Sequence, residues 1–486
     1  MRVLLSVLGL TLPLASQIAP APIATIAPDD VVLELVQSPQ AQAILSGATT
    51  NVWAYRGRVV AGAADALTPV PNSYLGPTIR VWQGQHVTIR LENRIGEPSV
   101  AHWHGLDVPA AMDGHPALAF AHGGSFTYSF PIVNRAGTYW YHPHPDMRTG
   151  VQANMGLAGF FVVHDHAEAS LGLPDGAQDV ALCLQDRTFD AANQFVYAPD
   201  MINGVFGSTI LVNGRPGYVH SAATRAYRLR LLNGSTSRIY KLAFGDGTPL
   251  TVIGTDGGLL DVPRVFPYVM LAPGQRIELW ADFRTRPVNT QIVLQSHAFA
   301  GAGAFQGTAF DVMRFSIDRA ETETRVLPPA LSSIPRYRLQ DAVNANAPKV
   351  YAIGLRTGGG PPQFTLNGGT FDMVAVAPNE VARCNTLEVI QLTNLSGMML
   401  VAHPIHFHGR QFQVWDRSIT SGGLGGWTTV KDGYVDSGWL DTVMLMPGET
   451  VRILVRHGAY PGLYLYHCHN LAHEDMGMMR NFRLVR

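Results

Sequence analysis

The sequence predicts an all-β chain of three related Greek-key β-sandwich domains, and three observations carry that expectation. Short runs rich in Val, Ile and Thr are punctuated by turn formers, 49 Gly and 32 Pro in all, as in chains of many short strands. A length of 486 residues exceeds what a single core supports. An alternating strand ending in Asn recurs three times, at Val87, Ile89, Leu91, Asn93, then Tyr227, Leu229, Leu231, Asn233, then Ile390, Leu392, Asn394. Charged residues make up 15% of the chain and the net charge is -1, so no long-range attraction to nucleic acid or anionic lipid is expected.

Taken in order, the chain opens with Arg2, an apolar run from Val3 to Leu14, then Ala15 and Ser16, a pattern like a short secretory signal. Residues 1–28 are assigned to this leader and a tail. Beyond it no apolar stretch is long enough to span a bilayer, and the expected location is periplasmic or secreted. The first domain is expected over 29–166, with Gly124 to Tyr128 as the turn and strand that follow its repeat. Asp165 to Asp175 leads into the second, 167–325, whose repeat is followed by Pro273-Gly274 with Ile277 and Leu279. The polar, Pro-bearing stretch from Arg325 to Lys349 leads into the third, 326–486, where Pro447-Gly448 precedes Val451 and Ile453.

The outer repeats also close alike. Gly137-Thr138-Tyr139-Trp140-Tyr141-His142 matches Gly462-Leu463-Tyr464-Leu465-Tyr466-His467, whereas the middle repeat has no such histidines and reads as a spacer. Four clusters stand out: His102-Trp103-His104, His142-Pro143-His144, His403-Pro404-Ile405-His406-Phe407-His408 and His467-Cys468-His469. Side chains two apart on a strand point the same way with Cα atoms roughly 6.6 Å apart, so each pair can aim two imidazoles at neighbouring metal ions. Four such pairs on the two outer domains predict a metal cluster between them.

Cys468 faces away from its flanking histidines in an extended segment and therefore needs a different metal. With His403, His473 and Met478 it makes up the two imidazoles, thiolate and weak thioether of a blue copper site. Cys183, Cys384 and Cys468 are too few and odd in number for a disulfide framework. An isolated histidine is usually structural, and His86, His115, His122, His164, His166, His220, His297 and His457 are read that way. The other ten of the 18 histidines fall in paired or site-related positions, which chance does not explain. Zinc fits poorly, because it closes a tetrahedron with four ligands while this pattern supplies eight imidazoles and a separate thiolate site.

These four segments resemble the copper signatures of the multicopper oxidases over nearly the whole chain, which implies cupredoxin-like domains and four copper ions. By that resemblance the type 1 copper takes His403, Cys468, His473 and Met478. The type 2 copper takes His102 and His406. The type 3 pair takes His104, His142 and His469 on one ion and His144, His408 and His467 on the other. Asp113 and Glu474 resemble the family's proton-delivery acids. The plainer readings are a turn aspartate in Met112-Asp113-Gly114 and a hydrogen-bond acceptor behind a ligand. Gln185-Asp186-Arg187 and Gly438-Trp439-Leu440-Asp441-Thr442 are also similar to bacterial members and are read as scaffold.

The resemblance implies a monomeric laccase-like enzyme that takes single electrons from phenols or aromatic amines, through Cys468, and reduces dioxygen to water. Oxidation of cuprous or another metal ion in copper tolerance is the alternative. Met398, Met399, Met476 and Met479 favour it; the lack of a Met-rich insert, and of an acid just before His403, speaks against it. A non-catalytic copper-binding or envelope protein is the alternative of another class. Some copper-free bacterial relatives are cell-division factors, but here every ligand position is filled.

Overall fold

The computed structural model describes residues 30–357, 363–395 and 401–486. The leader-like segment, Met398 and Met399 lie outside the described residues. Three consecutive stretches each form two facing sheets. In the first, Thr50–Ala61, Val31–Gln42, His86–Asn93 and Ser125–Pro131 face a sheet ordered Leu67–Thr68, Thr78–Trp82, Gly159–His164, Gly137–Pro143, Ala101–His104. The second stretch has an 8-stranded sheet around Asp179–Phe189, Ala226–Asn233 and Arg276–Asp282, opposite a 5-stranded one. The third pairs a sheet centred on Leu387–Asn394 with one ordered Val381–Arg383, Met479–Val485, Gly462–Cys468, His403–Phe407, Thr442–Leu445. Each stretch has its own buried apolar core between its sheets.

The repeat seen in the sequence is one three-strand device used three times. Its strand runs parallel to an earlier one (Val31–Gln42 beside His86–Asn93, Asp179–Phe189 beside Ala226–Asn233, Lys349–Arg356 beside Leu387–Asn394) and antiparallel to a later one. Alternation buries one face: Val87, Ile89 and Leu91 are fully enclosed while Thr88 and Arg90 are not. The terminal Asn is a staple. Asn93 Nδ2 donates to the carbonyls of Glu97 and Phe120 at 2.8 and 2.9 Å, and its Oδ1 accepts from Ile95 N. Asn233 does the same toward Arg238, Leu271 and Ser235, and Asn394 donates to Val401 and Leu445. In all three copies a glycine at positive φ (Gly123, Gly274, Gly448) donates its N–H to that Asn's carbonyl, a backbone state few other residues adopt without strain.

The middle stretch does more than separate its neighbours. Thr138 donates to Glu278 at 2.6 Å, and Glu278 is gripped by Arg228 and Arg230, which also engage Glu168 and Asp179. On the other side Arg276 reaches Asp441 at 2.5 Å and bonds the Thr138 carbonyl at 2.9 Å, so one side chain ties all three stretches together. Among the described residues no helix is long and apolar enough to cross a membrane.

Candidate metal centre

Two antiparallel strand pairs, one from each outer sandwich, deliver the histidines. Ala101–His104 pairs with Gly137–Pro143 so that His102 sits opposite His142. His403–Phe407 pairs with Gly462–Cys468 so that His406 sits opposite His467 and Ile405 opposite Cys468. The period of two then sends the histidines to one side and Cys468 to the other. All eight of His102, His104, His142, His144, His406, His408, His467 and His469 are fully buried.

Their ligand atoms gather in groups within 4.8 Å: His104 with His142 and His469, His144 with His408 and His467, and His102 with His406 and His104. Cys468, His403 and His473 form a separate group, with Sγ 3.5 Å from His403 Nδ1 and 3.7 Å from His473 Nδ1. Met478 is fully buried in the same core, and its carbonyl accepts from Cys468 N at 3.0 Å. None of the eight histidines read as structural joins these groups. His115, for example, bonds Asn481 at 2.9 Å.

A cation resolves an otherwise unfavourable arrangement. His102 Nδ1 faces the Asp113 carbonyl at 2.7 Å and His406 Nδ1 the Asp441 carbonyl at 2.9 Å, so each ring carries its proton there. The two Nε2 lone pairs then face one another at 3.4 Å. The same holds for His408 and His467, whose Nδ1 atoms lie near Asp113 Oδ2 and the Cys468 carbonyl while their Nε2 atoms are 3.1 Å apart. His473 gives Nε2–H to the Ile202 carbonyl at 2.9 Å, leaving the Nδ1 lone pair toward sulfur. Both ring nitrogens of His469 are buried without any partner. Ligands about 2.0 Å from one tetrahedral ion lie about 3.3 Å apart, which is the spacing these pairs hold.

Protonation agrees. Burial and the neighbouring imidazoles push His102, His104, His142, His408 and His469 well below the ordinary histidine value, and burial brings His144, His467 and His473 to about 4. The rings are therefore neutral ligands. Burial pushes the Cys468 thiol up, so a bound cation is needed to make it the thiolate.

The predicted acids lie against the ligands. Asp113 is fully buried, 2.8 Å from His408 Nδ1, and burial lifts it to about 8. Glu474 lies 3.0 Å from His467 Nδ1 and 3.4 Å from His144 Nε2, and burial raises it too. The sequence reading missed Asp441. Its Oδ1 lies 3.0 Å from His104 Nε2, its carbonyl accepts from His406, and Thr442 Oγ1 is 3.2 Å from His406 Nδ1. Burial alone would raise Asp441, but the Arg276 guanidinium holds it below the usual carboxylate range. Gly105, directly after His104, permits this approach, since a Cβ there would lie 2.5 Å from Asp441 Oδ2. The signal was present in Gly438 to Thr442; the partner, Arg276, sits 165 residues away and was not legible.

Three related sandwiches, a cage of eight histidines between the outer two and a separate Cys468 group on the strand that also carries His467 define the class: a multi-domain β protein built to hold metal ions. Residues 54–168 and 344–485 each match the multicopper oxidase family. The chain is 33% identical over 436 residues to a bilirubin oxidase from Albifimbria verrucaria, covering 87% of this chain and 73% of that one. To a laccase from Bacillus stratosphericus it is 28% identical, over 90% and 91% of the two chains. The crystal structure of the McoA multicopper oxidase from Aquifex aeolicus superimposes with a TM-score of 0.81 at 33% identity, covering 94% of this chain and 97% of that one. The chain belongs to the multicopper oxidase family. It is an oxidoreductase of the class that uses dioxygen as electron acceptor, and copper is the metal its family implies.

Proposed function

We propose that this chain is a laccase-like oxidase, taking single electrons from phenolic or aromatic amine reductants and delivering four to dioxygen, with four coppers in two sites. His403, Cys468, His473 and Met478 would hold the type 1 ion. His102 and His406 would hold the type 2 ion; His104, His142 and His469, with His144, His408 and His467, the type 3 pair. Bound there, copper supplies one-electron redox chemistry at the sulfur site and a multi-electron sink at the histidine cluster. We further propose the division 29–166, 167–325 and 326–486, a monomeric enzyme, and a periplasmic or secreted location.

One observation carries this reading: Cys468 Sγ faces His403 and His473 while His467 and His469, on either side of it, turn to the other group. A single covalent segment thus joins the two sites. The remaining side chains supply order and protons. Carbonyls of Asp113, Asp441 and Ile202 fix the ring tautomers, and complete burial excludes water from the histidines. Asp113, which burial lifts to about 8, holds a proton beside His408, and Glu474, also shifted upward by burial, lies beside His467, where reduction of dioxygen consumes protons.

A second reading, oxidation of cuprous ion, is favoured by a cleft of about 440 Å³ lined in part by Asp475 to Gly477, the segment that follows His473 in the chain. Met147, Met201 and Met476 line it together with Asp146 and Asp475, thioether and carboxyl oxygen donors that suit a metal-ion reductant. Met479, by contrast, is buried core. Oxygen uptake with a dimethoxyphenol, with and without added cupric ion, separates the two: strong dependence on added copper favours the metal-ion reading. Cys468→Ser is expected to abolish the blue colour and all turnover while far-UV circular dichroism is retained. Turnover surviving in that variant refutes the proposal.

A further inference from the structure

A second cleft, of about 550 Å³, opens where the three stretches meet and shares no lining residue with the methionine-bearing one. Its volume lies in the range of small-molecule sites, about 300–1,000 Å³. Three guanidiniums line it, Arg135, Arg410 and Arg456, against one carboxylate, Asp107. His457 also lines it, and burial keeps that ring below the ordinary histidine value, so the cationic excess rests on the arginines.

Arg410 is the informative residue. It is only 2% exposed. Its Nη1 is used, donating to Asp107 Oδ1 at 3.1 Å and to the Gly409 carbonyl, and the guanidinium rests on the Tyr464 ring, 4.8 Å from its centroid. Its Nε and Nη2 are buried with no partner. Those two N–H groups lie side by side on one edge of the planar fork, the edge that meets two oxygens of a carboxylate or phosphate. Arg135 Nη1, also buried, is likewise unpartnered. At the rim Arg456 is exposed, packed over Tyr337 and bonded to the Asn385 carbonyl at 3.3 Å. Unpaired buried donors on a cation are costly.

We propose that this cleft binds a small polyvalent oxyanion, a polycarboxylate or a phosphate, with Arg135, Arg410 and Arg456 lining it and supplying the positive charge. The site is distinct from the reductant cleft and from the histidine cluster, although its floor includes Gly409 to Gln411, the segment directly after His408.

Calorimetric titration of the copper-loaded protein with citrate and, separately, with inorganic phosphate tests this, at constant ionic strength set with chloride. The expected result is saturable one-to-one binding of at least one of them, weakened about tenfold or more by Arg410→Gln, as for loss of one charged hydrogen-bonded partner. Arg456→Gln and Arg135→Gln should each weaken it severalfold, and they decide the matter if Arg410→Gln does not fold. Binding of citrate alone assigns the cleft to polycarboxylates, and of phosphate alone to phosphates. No saturable binding of either probe, or binding that all the folded arginine variants retain unchanged, overturns the proposal; the latter would place the anion on copper or elsewhere.

Discussion

At the residue scale, the side chains behind the ligands set how the histidines present themselves. Asp441 contributes its carboxylate to His104 and its carbonyl to His406, and Arg276 keeps that carboxylate ionised. Asp441→Asn retains the backbone carbonyl but turns an acceptor oxygen into an amide that competes for the wrong tautomer of His104. The expected outcome is a loss of copper affinity or turnover of about 10- to 100-fold, with copper content after dialysis and the cupric electron paramagnetic resonance signal as readouts. Arg276→Gln should move both in the same direction. The paired histidines around Cys468 and in the other three clusters were legible because strand geometry gives a period of two, whereas His403, His473 and Met478 were read from the soft ligand set they complete with Cys468. Asp441 was not, because nothing local distinguishes an aspartate that backs a ligand from one that caps a turn. Only its long-range partners do so.

At the element scale, the strand that ends in Asn was found from alternation alone, and its reason became visible only in three dimensions. Asn93, Asn233 and Asn394 each knit the chain leaving the strand to a distant loop. Asn233→Ala would leave the carbonyls of Arg238 and Leu271 and the N–H of Ser235 without their buried partner. Several kcal/mol of stability should be lost, at about 1–3 kcal/mol per unsatisfied group, measurable as a lower midpoint in denaturant. Asn233→Asp should be no better, since it keeps the acceptor but discards both donors. Loss below about 0.5 kcal/mol would mean that the staple is incidental. The middle repeat lacks the paired histidines of the outer two and so read as a spacer. Its loops nonetheless touch the site: Gly274 packs so close to His469 that a Cβ would lie 2.9 Å from that ring, and Ile202 accepts from His473. Backbone contributions of this kind have no residue-type signature, which is why sequence reasoning passes over them.

At the scale of the whole molecule, the stretches are held by buried ionic seams as well as by apolar packing. Burial opposes ionisation of Glu168, but His164, Arg228 and Arg230 outweigh it and hold Glu168 below the usual carboxylate range; Arg230 does the same for Asp179. A carboxylate depressed in the folded state stabilises at pH above its unfolded value and loses that contribution as pH falls through the folded value. Folding stability is therefore expected to hold near neutrality and to fall as the pH drops from about 4.5 downward. Arg230→Met should flatten that acid limb in equilibrium unfolding, whereas an unchanged limb would assign the acid sensitivity to other groups.

The opposing placement of His102 and His406, 304 residues apart yet 3.4 Å apart in space, has a consequence for biogenesis. A nascent chain that has released only its first sandwich displays half a cage, four imidazoles with nothing across from them. A product lacking its third sandwich keeps only one wall of the cage and none of the Cys468 group, so the complete ligand set is assembled only once both outer sandwiches are in place.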